Sequence, residues 1–308
     1  MQPLTVDFHL DVPWRMYKNG GFDLTQSHPE TAVDFPRMRT GGLDAAFMAL
    51  YLSDEVQTYL GPEQVEKTIN WQYDMLKIQS QSRVVSNAVE AFIAANEGLI
   101  PMFLGLEGGR LINGSLDRLQ ALRAIGVRYL TLTHNKSHDW CDSATDVPRC
   151  NGLGSFGVTV VKKAEDMGIF IDVSHVSDNA ASDVLFLSEA PVPATHSGVR
   201  GLVNHPRNLT DSLIKQIAAS GGMIGVPFAA RFVGHTAEAM MDHIDWIVQL
   251  TGSSKHVGIG SDLDGAPMIQ DCKSAAEWRS ALDLESYLGY KSEDVENILG
   301  GNIMRLMS

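Results

Sequence analysis

Histidine, aspartate and glutamate recur at the ends of short apolar runs along this chain. Reading the last residue or two of each run gives His9, Asp11, Glu107, His134, His175, His196 and Asp262. Imidazole and carboxylate groups without a thiolate favour zinc, with manganese, cobalt or iron as alternatives. Four imidazoles and three carboxylates exceed the ligands of one tetrahedral site. Two metal ions bridged by a carboxylate fit this set better, and such a pair can activate one water molecule.

His9 and Asp11 are separated by a single residue at the end of the first apolar run. Residues i and i+2 of a strand point to the same face, so this pair can hold one cation from two sides. A single polar residue in an apolar strand is more often a hydrogen-bonded core residue. That interpretation is weak for the whole set, because burying so many polar groups is costly without a metal or mutual pairing.

Eight apolar runs of strand length alternate with helix-like stretches. The predicted strands are Leu4–His9, Ala45–Tyr51, Met102–Glu107, Arg128–His134, Ile169–His175, Val192–His196, Met223–Phe228 and Val257–Asp262. The predicted helices are Pro62 to about Glu97, Ser115–Ile125, Ser155–Met167, Ser177–Leu187, Thr210–Ser220, Ala237–Thr251, Ala275–Leu288 and Ser292–Leu306. This order predicts an α/β fold of the (β/α)8 TIM-barrel type, in which the carboxyl ends of the strands meet on one face. The seven polar side chains would gather there.

Length and charge narrow the class of protein. A chain of 308 residues without a linker-like segment predicts one barrel domain over residues 1–308. The net charge of −13 argues against a nucleic-acid partner and against binding to anionic membranes. No apolar run reaches the roughly 18 residues of a membrane span, and no secretory signal is visible. We therefore expect a cytoplasmic protein with free thiols, although a Cys141–Cys150 bridge is an alternative.

A glycine-rich motif supports a competing interpretation. Gly152, Gly154 and Gly157 fit the G-x-G-x-x-G pattern of dinucleotide-binding folds, and Asp172 follows at a plausible distance. That motif must follow a strand directly, whereas a polar loop precedes it here. We therefore interpret the glycines as the entry to a helix. His138 lies in the same long irregular stretch, and loops of that length are usually functional.

Several motifs, in order, resemble the membrane (renal) dipeptidase family of metallopeptidases, within the amidohydrolase superfamily of barrels. They are HLDVPW at 9–14, GGLDAAFMALY at 41–51, LEGG at 106–109, GVRYLTLTHN at 126–135, IDVSHVS at 171–177, ATHSGVRGLVNHPRNLTD at 194–211, GIGSDLDG at 258–265 and LGGNIMRL at 299–306. The resemblance runs through most of the chain. It implies a metal-dependent dipeptidase with two zinc ions, a small dipeptide substrate and a homodimeric state.

The resemblance also implies roles for the metal-binding residues. His9 and Asp11 resemble ligands of the first metal ion, and His175 and His196 resemble ligands of the second. Glu107 resembles the carboxylate that bridges both ions. The expected centre is therefore binuclear.

Four further residues resemble the family's catalytic and substrate-binding positions. Asp262 resembles the carboxylate that handles the proton of the attacking water. His134 resembles the imidazole that steadies the scissile carbonyl oxygen. Arg207, in the HPRN segment, resembles the arginine that binds the substrate's terminal carboxylate, and Tyr51 is a substrate-binding candidate.

The chain departs from the family pattern in two places. Asp7-Phe8-His9 replaces the usual Asp-Gly-His, and we expect the larger Phe8 to narrow the pocket near the metal ions. Tyr51-Leu52-Ser53 replaces a Tyr-Thr-Pro-like stretch, which leaves the side-chain pocket undefined. Family members commonly accept a D-residue at the C-terminal position, and some open carbapenem-type lactams. The resemblance implies both activities without selecting between them.

Two other functions are compatible with the same group of polar residues at the strand ends. An amidohydrolase could cleave another small amide, such as an N-acyl amino acid or a lactam, and Arg207 is the residue that favours dipeptides. A non-catalytic ligand-binding barrel would have no need of Asp262. We expect neither outcome, and metal analysis together with a small substrate panel separates all three.

Overall fold

The central sheet is parallel and curls into a barrel that helices surround. The computed structural model describes residues 3–308. Its strands are β1 Val6–Leu10, β2 Ala45–Tyr51, β3 Ser82–Val84, β4 Ile100–Glu107, β5 Val127–Thr131, β6 Phe170–Asp172, β7 Ile224–Val226 and β8 Val257–Ile259. Its helices are α1 Val12–Lys18, α2 Phe35–Thr40, α3 Asp54–Tyr59, α4 Pro62–Lys77, α5 Ala88–Asn96, α6 Leu116–Ala124, α7 Ser155–Asp166, α8 Asp178–Leu187, α9 Asp211–Ala219, α10 Ala230–Val233, α11 Ala237–Thr251, α12 Leu284–Leu288, α13 Ser292–Glu296 and α14 Asn302–Leu306. The predicted α/β barrel class is confirmed.

Strand pairing runs around most of the barrel. The sheet order is β1-β2-β4-β5-β6, while β7 and β8 form a separate pair and β3 lies beside the start of β4. The backbone of an irregular segment joins β6 to β7. There the Val173 N–H donates to the Pro193 oxygen at 3.0 Å, and Ala194 forms an isolated parallel bridge with Ile224. This segment occupies the place of one barrel strand.

Two predicted elements before residue 200 differ from the structure. Val192–His196 is not a regular strand, because Pro191 and Pro193 lack the N–H groups that a ladder of hydrogen bonds requires. The predicted helix from Pro62 to Glu97 is two helices, α4 and α5, with β3 between them. Asn87 starts the second helix, since its side chain accepts a hydrogen bond from the Glu90 N–H.

The C-terminal region is also more broken than predicted. The predicted helix Ala275–Leu288 is a short 3-10 turn at Ala275–Glu277 followed by α12. A π turn at Asn297–Gly301 separates α13 from α14. Gly300 has a non-helical backbone there, and a Cβ atom on it would lie 2.1 Å from the Leu4 carbonyl oxygen. The kink therefore lets the last helices pack closely against the chain's first strand.

Side chains of β2 show how the barrel is filled. All seven residues of this strand are buried. Ala45 and Phe47 join the cluster inside the barrel, whereas Ala46, Met48 and Leu50 join the cluster between the barrel and the helices. This alternation is what a strand buried on both faces requires. Within residues 3–308, no helix has the length and apolar character needed to cross a bilayer.

Tyr129 fills the barrel interior beneath the carboxyl ends of the strands. Its ring lies over Gly105, where a Cβ atom would come within 2.0 Å of the ring. The register of β1 shifts between Asp7 and Leu10, and both Phe8 and His9 contact Tyr129. Phe8 packs in this interior cluster and is not among the residues lining the site cavity. The expected narrowing of the pocket by Phe8 is therefore not seen.

The first and last parts of the chain close the barrel together. Leu10 pairs with Leu263 in a parallel bridge. The buried Asp7 carboxylate accepts hydrogen bonds from the Ser261 N–H at 2.9 Å and from the Trp278 indole N–H at 2.7 Å. Burial raises the pKa of Asp7, and these donors oppose that rise. The closure thus depends on a polar contact as well as on apolar packing.

Candidate metal centre and active site

The predicted metal ligands follow the carboxyl ends of the barrel strands. His9 lies in β1 and Glu107 ends β4, while Asp11 follows β1 at the start of α1. His175 lies three residues beyond β6, and His196 ends the irregular segment before β7. His134 and Asp262 likewise lie three residues beyond β5 and β8. The strand ends converge as predicted, although several of these side chains stand on the loops that follow the strands.

The structure brings all seven predicted side chains together in three overlapping groups. The groups are His9–Asp11–Glu107, Glu107–His134–His175 and His9–His196–Asp262. Within each group the potential ligand atoms lie within 4.8 Å of one another. All are buried except His134, which is partly exposed.

Glu107 lies at the centre of the cluster. Its Oε1 atom is 3.1 Å from His175 Nε2, 3.4 Å from His196 Nε2 and 3.6 Å from His9 Nε2. His175 Nε2 and His196 Nε2 are themselves 3.0 Å apart. This carboxylate oxygen and the three imidazole nitrogens are all of the types that bind metal ions.

Two of the imidazoles are held by hydrogen bonds on their far side. His9 Nδ1 is 2.8 Å from the Tyr129 hydroxyl, and His196 Nδ1 is 2.9 Å from the Thr195 hydroxyl. The Thr195 hydroxyl in turn lies 2.8 Å from a carboxylate oxygen of Asp172. With Nδ1 held in this way, Nε2 of each ring is available to the centre.

The electrostatics of the cluster favour bound cations. His9 Nε2 is buried and has no hydrogen-bond partner. Burial disfavours the imidazolium of His9, yet Glu107, Asp11 and Asp262 together raise its pKa to about 10. The site therefore favours positive charge at this nitrogen.

The pKa shifts of the other ionisable groups in the cluster also favour bound cations. Burial lowers the pKa of His175 and His196 well below the ordinary value, so both are the neutral imidazoles that metals bind. Burial raises the pKa of Glu107 well above its usual range, and burial with the nearby Asp11 charge raises that of Asp262 to about 8. Divalent cations would relieve this crowding of carboxylates, so the residues present fit a metal centre.

A cavity of about 130 Å³ opens onto the cluster. Its lining residues are Asp11, Trp14, Tyr51, Glu107, His134, Asn135, His175, Arg231, Phe232, Asp262 and Gly265. A Cβ atom on Gly265 would lie 2.1 Å from Asp11 Oδ2 and 2.4 Å from Asp262 Oδ1. Glycine at this position is therefore required for the two carboxylates to approach the cavity wall.

His134 and Tyr51 stand together at the cavity. Tyr51 is the last residue of β2, and its hydroxyl is 3.1 Å from His134 Nδ1. Asp54, which the sequence analysis missed, places a carboxylate oxygen 3.2 Å from the same nitrogen and accepts the Asn135 N–H. Asp54 also begins α3, where an acidic residue is expected from the helix dipole alone, so its type and position give no separate signal.

Arg207 is not among the residues that line the cavity. It is buried, its Nη2 donates to the His196 carbonyl oxygen at 3.1 Å, and its Nε has no hydrogen-bond partner. Burial lowers the pKa of Arg207 to about 10, while Asp262 and Glu107 favour its charged form. Arg231, which the sequence analysis also missed, is the arginine in the cavity wall.

The glycine-rich motif has a packing role. A Cβ atom on Gly157 would lie 2.4 Å from the Trp140 carbonyl oxygen, and Gly154 caps α7. Asp172 is engaged with Thr195 near the metal centre. His138 is buried and donates its Nε2–H to the Leu132 oxygen at 2.8 Å. All three cysteines are free thiols.

A parallel α/β barrel with a histidine–carboxylate cluster at its strand ends is typical of metal-dependent hydrolases. The profile of the membrane dipeptidase family, Peptidase family M19, matches residues 2–308. The chain belongs to this family and is a metallo-dipeptidase. The resemblance stated from the motifs is confirmed.

Individual relatives agree with the family assignment. An uncharacterized dipeptidase of Schizosaccharomyces pombe is 28% identical over 331 residues, covering 98% of this chain and 79% of the relative. A crystal structure of the dipeptidase AC, an M19 metallo peptidase, superimposes with a TM-score of 0.89 at 24% identity, covering 100% and 98% of the two chains. A metallo peptidase from Rhodobacter sphaeroides, liganded with a phosphinate mimic of the dipeptide L-Ala-D-Ala, gives 0.86 at 24% identity, covering 100% and 99%. The structural matches support the barrel fold.

Proposed function

We propose that this chain hydrolyses dipeptides with the help of two zinc ions. The observation that carries the proposal is the Glu107 carboxylate oxygen, which lies 3.1–3.6 Å from three imidazole nitrogens. His9 and Asp11 would hold one ion, His175 and His196 the other, with Glu107 between them. When bound, such a pair supplies Lewis acidity and lowers the pKa of a water molecule to near neutrality.

Asp262 is proposed to move the proton. It lies in the wall of the cavity and belongs to the group formed with His9 and His196. Its carboxylate would accept a proton from the attacking water and pass it to the amine of the departing amino acid. The Asp262 carboxylate lies close to Gly265 and would make this transfer from the cavity wall.

His134 is proposed to stabilise the carbonyl oxygen of the scissile bond. Asp54 and Tyr51 both engage its Nδ1 atom, at 3.2 and 3.1 Å. Nε2 is then the ring atom left to hydrogen-bond the oxygen as negative charge develops on it. Tyr51 also lines the cavity and would contact the substrate directly.

Arg207 is proposed to bind the free carboxylate of the substrate. Its buried guanidinium retains an unpartnered Nε–H, and a carboxylate would satisfy it with a charge-assisted hydrogen bond. A longer peptide has no carboxylate at that position, so the contact selects dipeptides. The Rhodobacter sphaeroides enzyme with its L-Ala-D-Ala mimic supports the proposal that this chain also accepts a C-terminal D-residue.

A hydrolysis panel tests the proposal. Protein stripped with a chelator and protein reloaded with zinc are assayed on L-Ala-L-Ala, L-Ala-D-Ala, L-Ala-L-Ala amide and N-acetyl-L-alanine, and bound zinc is counted. We expect zinc-dependent cleavage of the free dipeptides and about two ions per chain. Cleavage of N-acetyl-L-alanine alone would instead favour a different amidohydrolase.

The Asp262→Asn variant provides the mechanistic control. We expect turnover to fall by about 100-fold or more while both zinc ions remain bound, because only the proton-transfer group is lost. Turnover close to that of the unmodified enzyme, with zinc bound, would refute the role proposed for Asp262. A variant that lost its zinc would instead place Asp262 among the metal ligands.

A further inference from the structure

Arg231 is an exposed arginine in the wall of the site cavity that the proposed reaction does not use. It stands on the short helix α10, after β7. Within residues 3–308, no carboxylate lies within ion-pair distance of its guanidinium. Arg200, by contrast, forms a close ion pair with Asp178. A basic side chain left unpaired beside a reaction site is available to a ligand.

The backbone holds α10 in place from two directions. The Ala230 N–H donates to the Pro267 oxygen at 2.9 Å, which ties the helix to the loop after Asp262. The Asn208 side chain donates to the Phe232 carbonyl oxygen at 2.8 Å, which ties the helix to the residue after Arg207. The backbone of α10 is therefore fixed relative to both the loop after Asp262 and the segment that carries Arg207.

The charges around the cavity single out Arg231. The carboxylates in the wall, Asp11, Glu107 and Asp262, belong to the metal centre. Among the described residues that line this cavity, Arg231 is the one lysine or arginine. The negative charge of a substrate, beyond its terminal carboxylate, would be attracted to this position.

Both arginines lie close to one aromatic ring, that of Phe232. The Arg207 guanidinium carbon is 5.3 Å from the Phe232 ring centroid and the Arg231 carbon is 4.7 Å from it. The two carbons are therefore at most about 10 Å apart. The two carboxyl carbons of aspartate or glutamate are about 4–5 Å apart, and each lies about 4 Å from a guanidinium carbon in a hydrogen-bonded pair. The spacing of the two guanidinium groups is therefore compatible with one C-terminal acidic residue that binds both arginines.

We propose that Arg231 binds the side-chain carboxylate of an acidic C-terminal residue, so that the enzyme favours dipeptides ending in aspartate or glutamate. This inference rests on the proposed dipeptidase function and on Arg207 as the partner of the main-chain carboxylate. Arg231 determines specificity and takes no part in bond cleavage. Its exposure makes the contact sensitive to salt.

The test compares two dipeptides of equal size, L-Ala-L-Asp and L-Ala-L-Asn, with the zinc-loaded enzyme. We expect kcat/KM to be about 10-fold higher for L-Ala-L-Asp, mainly through a lower KM, and the ratio to decrease as salt is added. In Arg231→Gln the ratio should fall to about one. Arg110→Gln, which removes an exposed arginine from the neighbouring cavity lined also by Asp54, Glu55 and Lys136, should leave the ratio high.

The possible results distinguish a failure of this inference from a failure of the proposed dipeptidase function. Equal use of both dipeptides by the unmodified enzyme would overturn the role of Arg231 while leaving dipeptidase activity intact. An equal rise in KM for both dipeptides in Arg231→Gln would show that Arg231 holds the main-chain carboxylate, which also overturns it. Failure of the zinc-loaded enzyme to cleave either dipeptide, or L-Ala-L-Ala, would refute the proposed function itself.

Discussion

The Tyr129→Phe substitution tests whether the metal centre depends on its outer hydrogen bonds. The Tyr129 hydroxyl lies 2.8 Å from His9 Nδ1, and both side chains are fully buried. The change removes this one oxygen and keeps the ring that packs over Gly105. His9 Nδ1 then loses its partner in a place that water does not reach.

The size of the effect follows from that burial. A buried donor left without its acceptor costs about 1–3 kcal/mol. Because a tenfold change in an equilibrium constant corresponds to about 1.4 kcal/mol, zinc should bind roughly 10- to 100-fold more weakly. Loss of supporting hydrogen bonds to metal-bound histidines has effects of the same size in general.

Competition with a chromophoric zinc chelator measures this affinity directly. Tyr290→Phe is the matched control, because it removes a hydroxyl that donates to Asp245 at 2.8 Å far from the metal centre. We expect Tyr290→Phe to keep the affinity of the unmodified protein. An affinity of Tyr129→Phe within about twofold of that value would refute the reasoning, since the hydrogen bond would then contribute little.

Two further predictions concern Gly265 and His243. Gly265→Ala should lower kcat/KM by about 10-fold or more, because the new Cβ displaces the Asp11 and Asp262 carboxylates. The temperature of thermal unfolding should change little, because no core side chain is displaced. An unchanged kcat/KM would show that the carboxylates tolerate the shift. Burial lowers the pKa of His243 to about 4, so the unfolded chain takes up a proton between pH 6.5 and 4 that the folded chain does not. The free energy of unfolding should therefore fall as the pH drops. Urea unfolding at pH 7.5 and pH 5 should show a decrease that is about 2 kcal/mol smaller in His243→Asn than in the unmodified protein. An equal decrease in both proteins would contradict the buried neutral imidazole.

The sequence is most informative where polar residues follow apolar strands. Glu107 ends a strand of eight buried residues, and His9 lies in one of five, so these polar residues stand out from their surroundings. A parallel barrel then dictates that residues far apart in the chain meet at one rim. His134, His175 and Asp262 also lie at this rim, although they stand on loops beyond the strands. The prediction holds for residues a few positions beyond a strand, because the loops all begin at the carboxyl-terminal edge of the barrel.

Other features of the site lack such a signal. Arg231 lies five residues beyond β7 on a four-residue helix, and no periodicity marks so short an element. Asp54 begins a helix, where an acidic residue is usually explained by the helix dipole alone. The break between α4 and α5 depends on the pairing of β3 with β4, a tertiary contact that helical periodicity does not encode.

The closure of the barrel by residues from its two ends also sets the order of events during protein synthesis. The ribosome makes His9 about 250 residues before Asp262, whose backbone N–H donates to the His9 oxygen. Until Ser261 and Trp278 have been made, the Asp7 carboxylate lacks two of its donors, and its burial is unfavourable. The first residues of the polar cluster, such as His9, are therefore made long before the residues that complete it. A metal centre that uses both His9 and Asp262 can therefore form only after Asp262 has been made.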